Sequence, residues 1–347
     1  MYWENVYLSI LNRITMFKNL LQLQKHFKDE RVCIEYIEQQ RWKGKPECPH
    51  CGSEHHYRTK TRFKSPELEG YKDFWCKACG KKYTTLTGSI YESSKVSLQI
   101  WLSAIYLVTA HKKGISSVQL AKDLGVTQKT GWFINHRIRE MLKERCPEAL
   151  VDTVEVDETY MGKKFRSDFK GYSDKEIEDF KKSKKGKAAL KTKGAVLGMM
   201  QRGGKVLLKA FNELDGIAAK EHIKAHVQPG SKVYTDASSL YRTGLDEYER
   251  ESVVHNRPTP EWVRGDVHVN TMESFWGTMK RGVYGIYHFI SYKHLQAYCD
   301  EFSYRYNSKG LSDVDRFELS VARCGAARIT YRELIGKDVT LGNGKSS

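Results

Sequence analysis

The chain has 347 residues, 40% hydrophobic and 29% charged, with 58 Lys and Arg against 42 Asp and Glu for a formal charge of +16. That is the composition of a soluble globular protein with room for two or three domains. No apolar run approaches the roughly 18 residues of a membrane span, and "MYWENVYLSI" lacks the basic start and apolar stretch of a secretory signal, so membrane and export classes are set aside and a cytoplasmic location is expected.

Residues 1–150 hold 25 basic and 15 acidic side chains. Such a surplus points to a polyanionic partner, because basic groups that neutralise phosphates release counterions. Residues 1–45 are assigned to an N-terminal helical segment. Beyond it, "CPHC" at Cys48–Cys51 and "CKAC" at Cys76–Cys79 make two CxxC pairs about two dozen residues apart. Each pair can turn two thiolates toward one ion, and two pairs close a tetrahedral shell. Gly52 and Gly80 follow the pairs, where a knuckle turn needs a relaxed backbone. Cys48, Cys51, Cys76 and Cys79 are therefore expected to hold one structural Zn²⁺ in a ribbon over 46–92. Disulfides are disfavoured in a reducing compartment. Cys33, Cys146, Cys299 and Cys324 are scattered and expected to be small buried residues. Between the knuckles, Lys and Arg alternate with Tyr, Phe and Trp, a mixture suited both to a small aromatic core and to phosphate contact.

Residues 97–146 carry a helix-turn-helix pattern. "SLQIWLSAIYLVTA" has helical periodicity. Ser116 or Ser117 caps a short helix with Val118, Leu120, Ala121 and Leu124 apolar. Gly125 supplies a turn, and Thr127 caps a second helix with Trp132, Ile134 and Ile138 inside. On that second helix Gln128, Lys129, Asn135, Arg137 and Arg139 suit phosphates and base edges.

The composition changes after Pro147. "VDTVEVDETYMG" alternates as a strand does. A basic insertion near 165–193 interrupts. Then "GAVLGMMQRGGKVLLKAF" predicts two strands joined at Gly203–Gly204, "GIAAKEHIKAHV" a helix, and "PGSKVYTDASSLY" a strand ending at Asp236. Strand, hairpin, helix and strand in that order suit a mixed sheet with helices around it, as in an RNase H-like fold. The predicted class is multidomain α+β: N-terminal helix and zinc ribbon, helix-turn-helix, then an RNase H-like α/β catalytic core over 150–310, and a C-terminal tail over 311–347. In such a core Asp157 and Asp236 are neighbours. "VNTMESFWGTMKRG" puts Met272, Phe275, Trp276 and Met279 on one helical stripe, with Glu273 at its edge and Lys280 two turns on. Three carboxylates suit a pair of hard cations, because Mg²⁺ prefers oxygen ligands. Glu155 lies on the same strand face as Asp157 and Glu158 on the opposite one, and the sequence leaves both open as members of the site.

These residues resemble a known family. The knuckles, "VEVDETYMG", "VYTDASSLY", "HVNTMESFWGTMKRGVYGIYH" and "DEFSYRYN" are similar, over roughly residues 17–307, to insertion-sequence transposases of the ISXO2-like group, which join a zinc ribbon to a DDE core. The resemblance implies a bacterial, nucleoid-associated enzyme that binds its element's ends, cleaves DNA and joins strands with two Mg²⁺ (or Mn²⁺) ions. Asp157, Asp236 and Glu273 would be its catalytic and metal-binding carboxylates, with Lys280 and Arg281 on DNA. Relatives with asparagine near the third ligand add Asn270 as an auxiliary candidate, beside Glu155 on the strand face of Asp157; charge favours Glu273. The resemblance also implies a homodimer or larger assembly acting on element ends and target DNA. Two other readings use the same residues: a DNA-binding regulator with an inactive core, and an RNase H-like structure-selective nuclease.

Overall fold

The computed structural model describes residues 17–59, 71–161, 194–254, 262–325 and 327–336, with isolated positions between 173 and 179. The chain divides into two units, one built from residues 1–142 and 310–347, the other from 143–309. Most of the basic insertion expected near 165–193 lies outside the described residues.

The first unit begins with α1 (Leu20–His26) and α2 (Glu30–Trp42), whose N-caps Asn19 and Asp29 accept from backbone N–H groups of Gln22 and Arg31. A three-stranded antiparallel sheet follows: β1 (His56–Arg58), β2 (Phe74–Cys76) and β3 (Lys82–Tyr83). Next comes α3 (Leu98–Ala110), capped by Ser97 and buried from Trp101 to Thr109. A helix apolar on all sides belongs at the centre of a unit, and α1 and α2 both pack on it. Two further helices, α4 (Ser117–Leu124) and α5 (Gln128–Leu142), are joined by a turn in which Gly125 takes φ 65°. They approach closely because Gly131 has no side chain: a Cβ there would stand 2.9 Å from Ala121 Cβ and 2.9 Å from the Ser117 carbonyl oxygen.

The second unit is built on a five-stranded mixed sheet. Strands β4 (Thr153–Met161), β5 (Gly194–Gln201) and β6 (Val206–Phe211) form an antiparallel meander. Helix α6 (Gly216–His226), N-capped by Asp215, leads to β7 (Lys232–Asp236), parallel to β4. Then β8 (Glu249–Val253) pairs parallel to β7. The spatial order is β6-β5-β4-β7-β8. Side chains alternate across the sheet. Val154, Val156, Leu197, Met199 and Val233 pack with Ala219 and Ile223 of α6. On the other face Met161, Val196 and Met200 meet Met272, Phe275, Trp276 and Met279 of α7 (Asn270–Gly282) and Leu295, Tyr298, Cys299 and Phe302 of α8 (Leu295–Asn307). No helix among the described residues is long and apolar enough to cross a membrane.

Two features depart from the sequence expectation. Strand β8 sits in "EYERESVV", whose charges hide a short edge strand. The stretch expected as a tail contains α9 (Asp313–Ala322) and α10 (Tyr331–Ile335). Helix α9 packs on α3 and α2 through a buried face that includes Val314, Phe317 and Val321.

Helix α7 rests on β5 at Gly198, where a Cβ would lie 2.7 Å from the Trp276 ring and would also collide with Met272. Gly198→Val is expected to lower stability by ~1–3 kcal/mol through overpacking, and the melting temperature of the second unit by several degrees. Calorimetry checks this; an unchanged transition would mean that α7 does not seat there.

Candidate functional site

The four ribbon cysteines converge. Cys48 Sγ and Cys79 Sγ are 3.7 Å apart, Cys51 Sγ and Cys76 Sγ 3.6 Å, and all four lie within 4.8 Å of one another. Thiolates ~2.3 Å from a tetrahedral Zn²⁺ stand about 3.8 Å apart, so the set fits the ion. Both knuckles close by the same backbone bond: Gly52 N–H donates to the Cys48 carbonyl at 2.8 Å and Gly80 N–H to that of Cys76 at 3.0 Å. The two glycines take φ 74° and 66°, a region that side chains disfavour. The Cys79 backbone N–H, with other donors, holds the Cys76 thiol down at about 7. Trp42, Phe74 and Tyr83 form the small core behind the cage, Phe74 and Tyr83 stacked at 5.1 Å. Among the described residues this is the one group of His, Cys, Asp or Glu gathered tightly enough to grip an ion as it stands. Of the scattered cysteines, Cys33, Cys299 and Cys324 are buried as expected, whereas Cys146 is exposed.

In the second unit, parallel pairing of Val156 with Thr235 brings Asp157 and Asp236 to adjacent positions on neighbouring strands. Asp236 lies on the side of β7 where Tyr234 packs with Val267 and Val269, just before α7, and its Oδ1 accepts from the Ser238 backbone N–H at 3.0 Å. Trp276 Nε1 donates to Asp157 Oδ2 at 3.0 Å. Glu273 lies one turn before Trp276 and is half-buried; Lys280 lies one turn after it and is half-buried too. Asn270 and Arg281 are exposed, and Arg281 Nη2 donates to Thr278 Oγ1. Glu158, which the sequence leaves open, is a near neighbour: it accepts from the Tyr241 hydroxyl at 2.6 Å, and its charge acts on Asp157. Burial first, then Glu158 and Asp236, push the Asp157 carboxyl up to about 7. Crowded, half-desolvated carboxylates of this kind are short of positive charge.

Glu155, expected beside these groups, does something else. It is fully buried and accepts from Arg202 Nε, Thr271 Oγ1 and the backbone N–H groups of Thr271 and Met272. Trp276 was legible only as core; a buried indole N–H needs an acceptor, and that rule is the signal pointing to Asp157.

On the helix pair of the first unit the polar residues divide. Gln128 and Lys129 are exposed on the first turn of α5. Asn135, Arg137 and Arg139, expected on DNA, are buried, and that expectation is corrected. Asn135 Nδ2 donates to the Ile115 carbonyl. Arg137 donates to the carbonyls of Ile90, Glu92 and Ile329. Arginine with an apolar stem and several carbonyl partners serves here as an internal brace.

Residues 149–307 match the family of the ISXO2-like transposase domain, and residues 28–82 match that of the transposase zinc-ribbon domain. A protein of Halobacterium salinarum, described as an uncharacterized protein in transposable element ISH50, is 30% identical over 278 residues, 75% of this chain and 87% of the relative. No solved structure matches.

Two outcomes follow from this geometry. Purified protein should carry about one zinc per chain, lost in Cys76→Ser, as elemental analysis would show; a Cys48–Cys79 disulfide in protein made under reducing conditions would contradict it. Asp157 ionises near pH 4 when unfolded and at about 7 when folded. Between those limits the folded state keeps a proton that the unfolded chain releases, so its contribution to stability falls as pH rises. Metal-free parent protein should therefore lose melting temperature between pH 4 and 7 more steeply than Asp157→Asn; parallel curves would refute the coupling.

Proposed function

The chain belongs to the ISXO2-like transposase family, and on that premise we propose that it binds the ends of its mobile element, cuts the DNA there and joins the freed 3′-hydroxyl to target DNA. The observation that carries the reading is the in-register pair Asp157 and Asp236, with Glu273 on the helix whose Trp276 is bonded to Asp157. The strand order, an antiparallel meander followed by two parallel strands beyond the first, supports an RNase H-like core.

The donor chemistry suits hard cations, since Asp157 and Asp236 on adjacent strands and Glu273 on a half-buried helix edge all offer carboxylate oxygens, although among the described residues the three are not drawn together as the ribbon cysteines are. Asp157, Asp236 and Glu273 would hold two Mg²⁺ or Mn²⁺ ions, which when bound activate an attacking oxygen and stabilise the leaving one. The protein's own part is to orient. Trp276 fixes one oxygen of Asp157 so that the other faces the site. Lys280, two turns beyond Glu273, engages a phosphate of the element end, and Arg281 extends that contact. In the first unit Gln128 and Lys129 contact DNA from the start of α5, as the exposed turn of a helix-turn-helix does. Handling two ends at once calls for a homodimer or larger assembly.

The three carboxylates weigh against a regulator with an inactive core, which needs no such set. A structure-selective nuclease would use them but has no need of a zinc ribbon and a second DNA-reading helix pair. Strand joining on an element-end duplex separates the three.

Glu273→Gln should reduce Mg²⁺-dependent strand transfer by about 100-fold or more with DNA binding retained, and Asn270→Ala should cost less. Activity retained in the first and lost in the second would move the third ligand to Asn270. Lys280→Ala should weaken end binding and reduce the dependence of log affinity on log salt by about one; an unaltered salt dependence would remove Lys280 from the phosphate contact.

A further inference from the structure

Helix α7 lacks a cap of its own. Val269 precedes its first turn and offers no side-chain acceptor, although the first N–H groups of any helix need partners from outside it. Those partners come from the sheet. Glu155 Oε2 accepts from the backbone N–H of Thr271 at 2.9 Å and of Met272 at 3.0 Å, while Oε1 accepts from Thr271 Oγ1 at 2.9 Å. A carboxylate at a helix N-terminus also meets the positive end of the helix dipole.

This carboxylate is fully buried, and such a charge persists only when paired. Arg202, at the β5–β6 turn, supplies the countercharge through Nε at 2.8 Å. Its other nitrogens donate to the Asp266 and His268 carbonyls at 2.8 and 3.0 Å, and its guanidinium lies 4.9 Å above the Tyr234 ring. His268 Nδ1 stands 3.3 Å from Glu155. With both oxygens engaged inside the unit, Glu155 is spent on the helix and is no metal ligand.

The same strand holds the helix a second time, where Asp157 accepts from Trp276. Two residues of strand advance ~6.7 Å, and the four from Met272 to Trp276 advance ~6 Å of helix. The two anchors are thus spaced alike on both elements, and Glu273 lies between them. We propose that Glu155 and Arg202 are positioning residues that fix the first turn of α7, so that Glu273 is presented to the metal site of Asp157 and Asp236. This rests on the assignment of Glu273 as a metal ligand made above.

The test is a titration of the full-length protein with MnCl₂, following free Mn²⁺ by electron paramagnetic resonance, for the parent, Glu155→Gln, Thr271→Val and Glu273→Gln. Zinc content and melting temperature are measured alongside. Glu155→Gln should weaken Mn²⁺ binding by ~10–100-fold, the range for residues that orient a metal ligand, with zinc unchanged. Thr271→Val removes one hydroxyl donor and nothing else of the cap, and should weaken Mn²⁺ binding measurably but by less than Glu155→Gln does; it carries the test if Glu155→Gln does not fold. A role confined to stability would lower the melting temperature and leave the affinity of the folded protein alone. Parental affinity in the folded Glu155 or Thr271 variant, with binding lost in Glu273→Gln, overturns the inference. Parental affinity in Glu273→Gln overturns the ligand assignment itself and takes this inference with it.

Discussion

The seating of α7 on the sheet is the constraint on which the second unit depends. Gly198 faces Asp157 across the β4–β5 pairing, and any side chain there would collide with Met272 and Trp276. The absence of a Cβ lets the helix come down until its indole N–H reaches an aspartate. Apolar burial of Met272, Phe275, Trp276 and Met279 drives the approach, but it is directionless. The hydrogen bonds at Asp157 and Glu155 convert it into one orientation, because a shift that kept the apolar contact would strand buried polar groups. The candidate catalytic chemistry thus rests on a packing decision made one strand away.

Elements whose signal is local were legible in the sequence. The ribbon cage follows from two short motifs, each closing on its own backbone at Gly52 and Gly80. The strand carrying Asp157, the β5–β6 hairpin and α6 follow from periodicity and turn residues. Adjacency of Asp157 and Asp236 required only the order of elements. Long-range pairing was not legible. Arg137 resembles a surface cation until Ile90, Glu92 and Ile329, distant in the chain, are seen to surround it with carbonyls. Arg139 and Asn135 misled for the same reason: polar type predicts exposure only where no internal partner exists. Glu155 and Asp157 share a strand face and a charge, yet one caps a helix and the other sits in the carboxylate cluster. Only the position of α7 distinguishes them.

The two units use charge in opposite ways. The first concentrates cations, and its cysteine cage stiffens a ribbon too small to have a large core of its own. The second crowds anions into a half-buried cluster of Asp157, Glu158 and Asp236, an arrangement that costs stability at neutral pH and is relieved by a cation.

The central claim is that Asp157, Asp236 and Glu273 together hold the divalent ions. Anomalous diffraction from crystals of the protein grown with MnCl₂ and a duplex of the element end tests it most directly. The account predicts Mn²⁺ peaks within bonding distance of all three carboxylates, roughly 2.0–2.2 Å for oxygen ligands of an ion close in size to Mg²⁺. Peaks ligated by Glu158 or Asn270 with Glu273 turned away, or no peak beside Asp157 and Asp236, would contradict it.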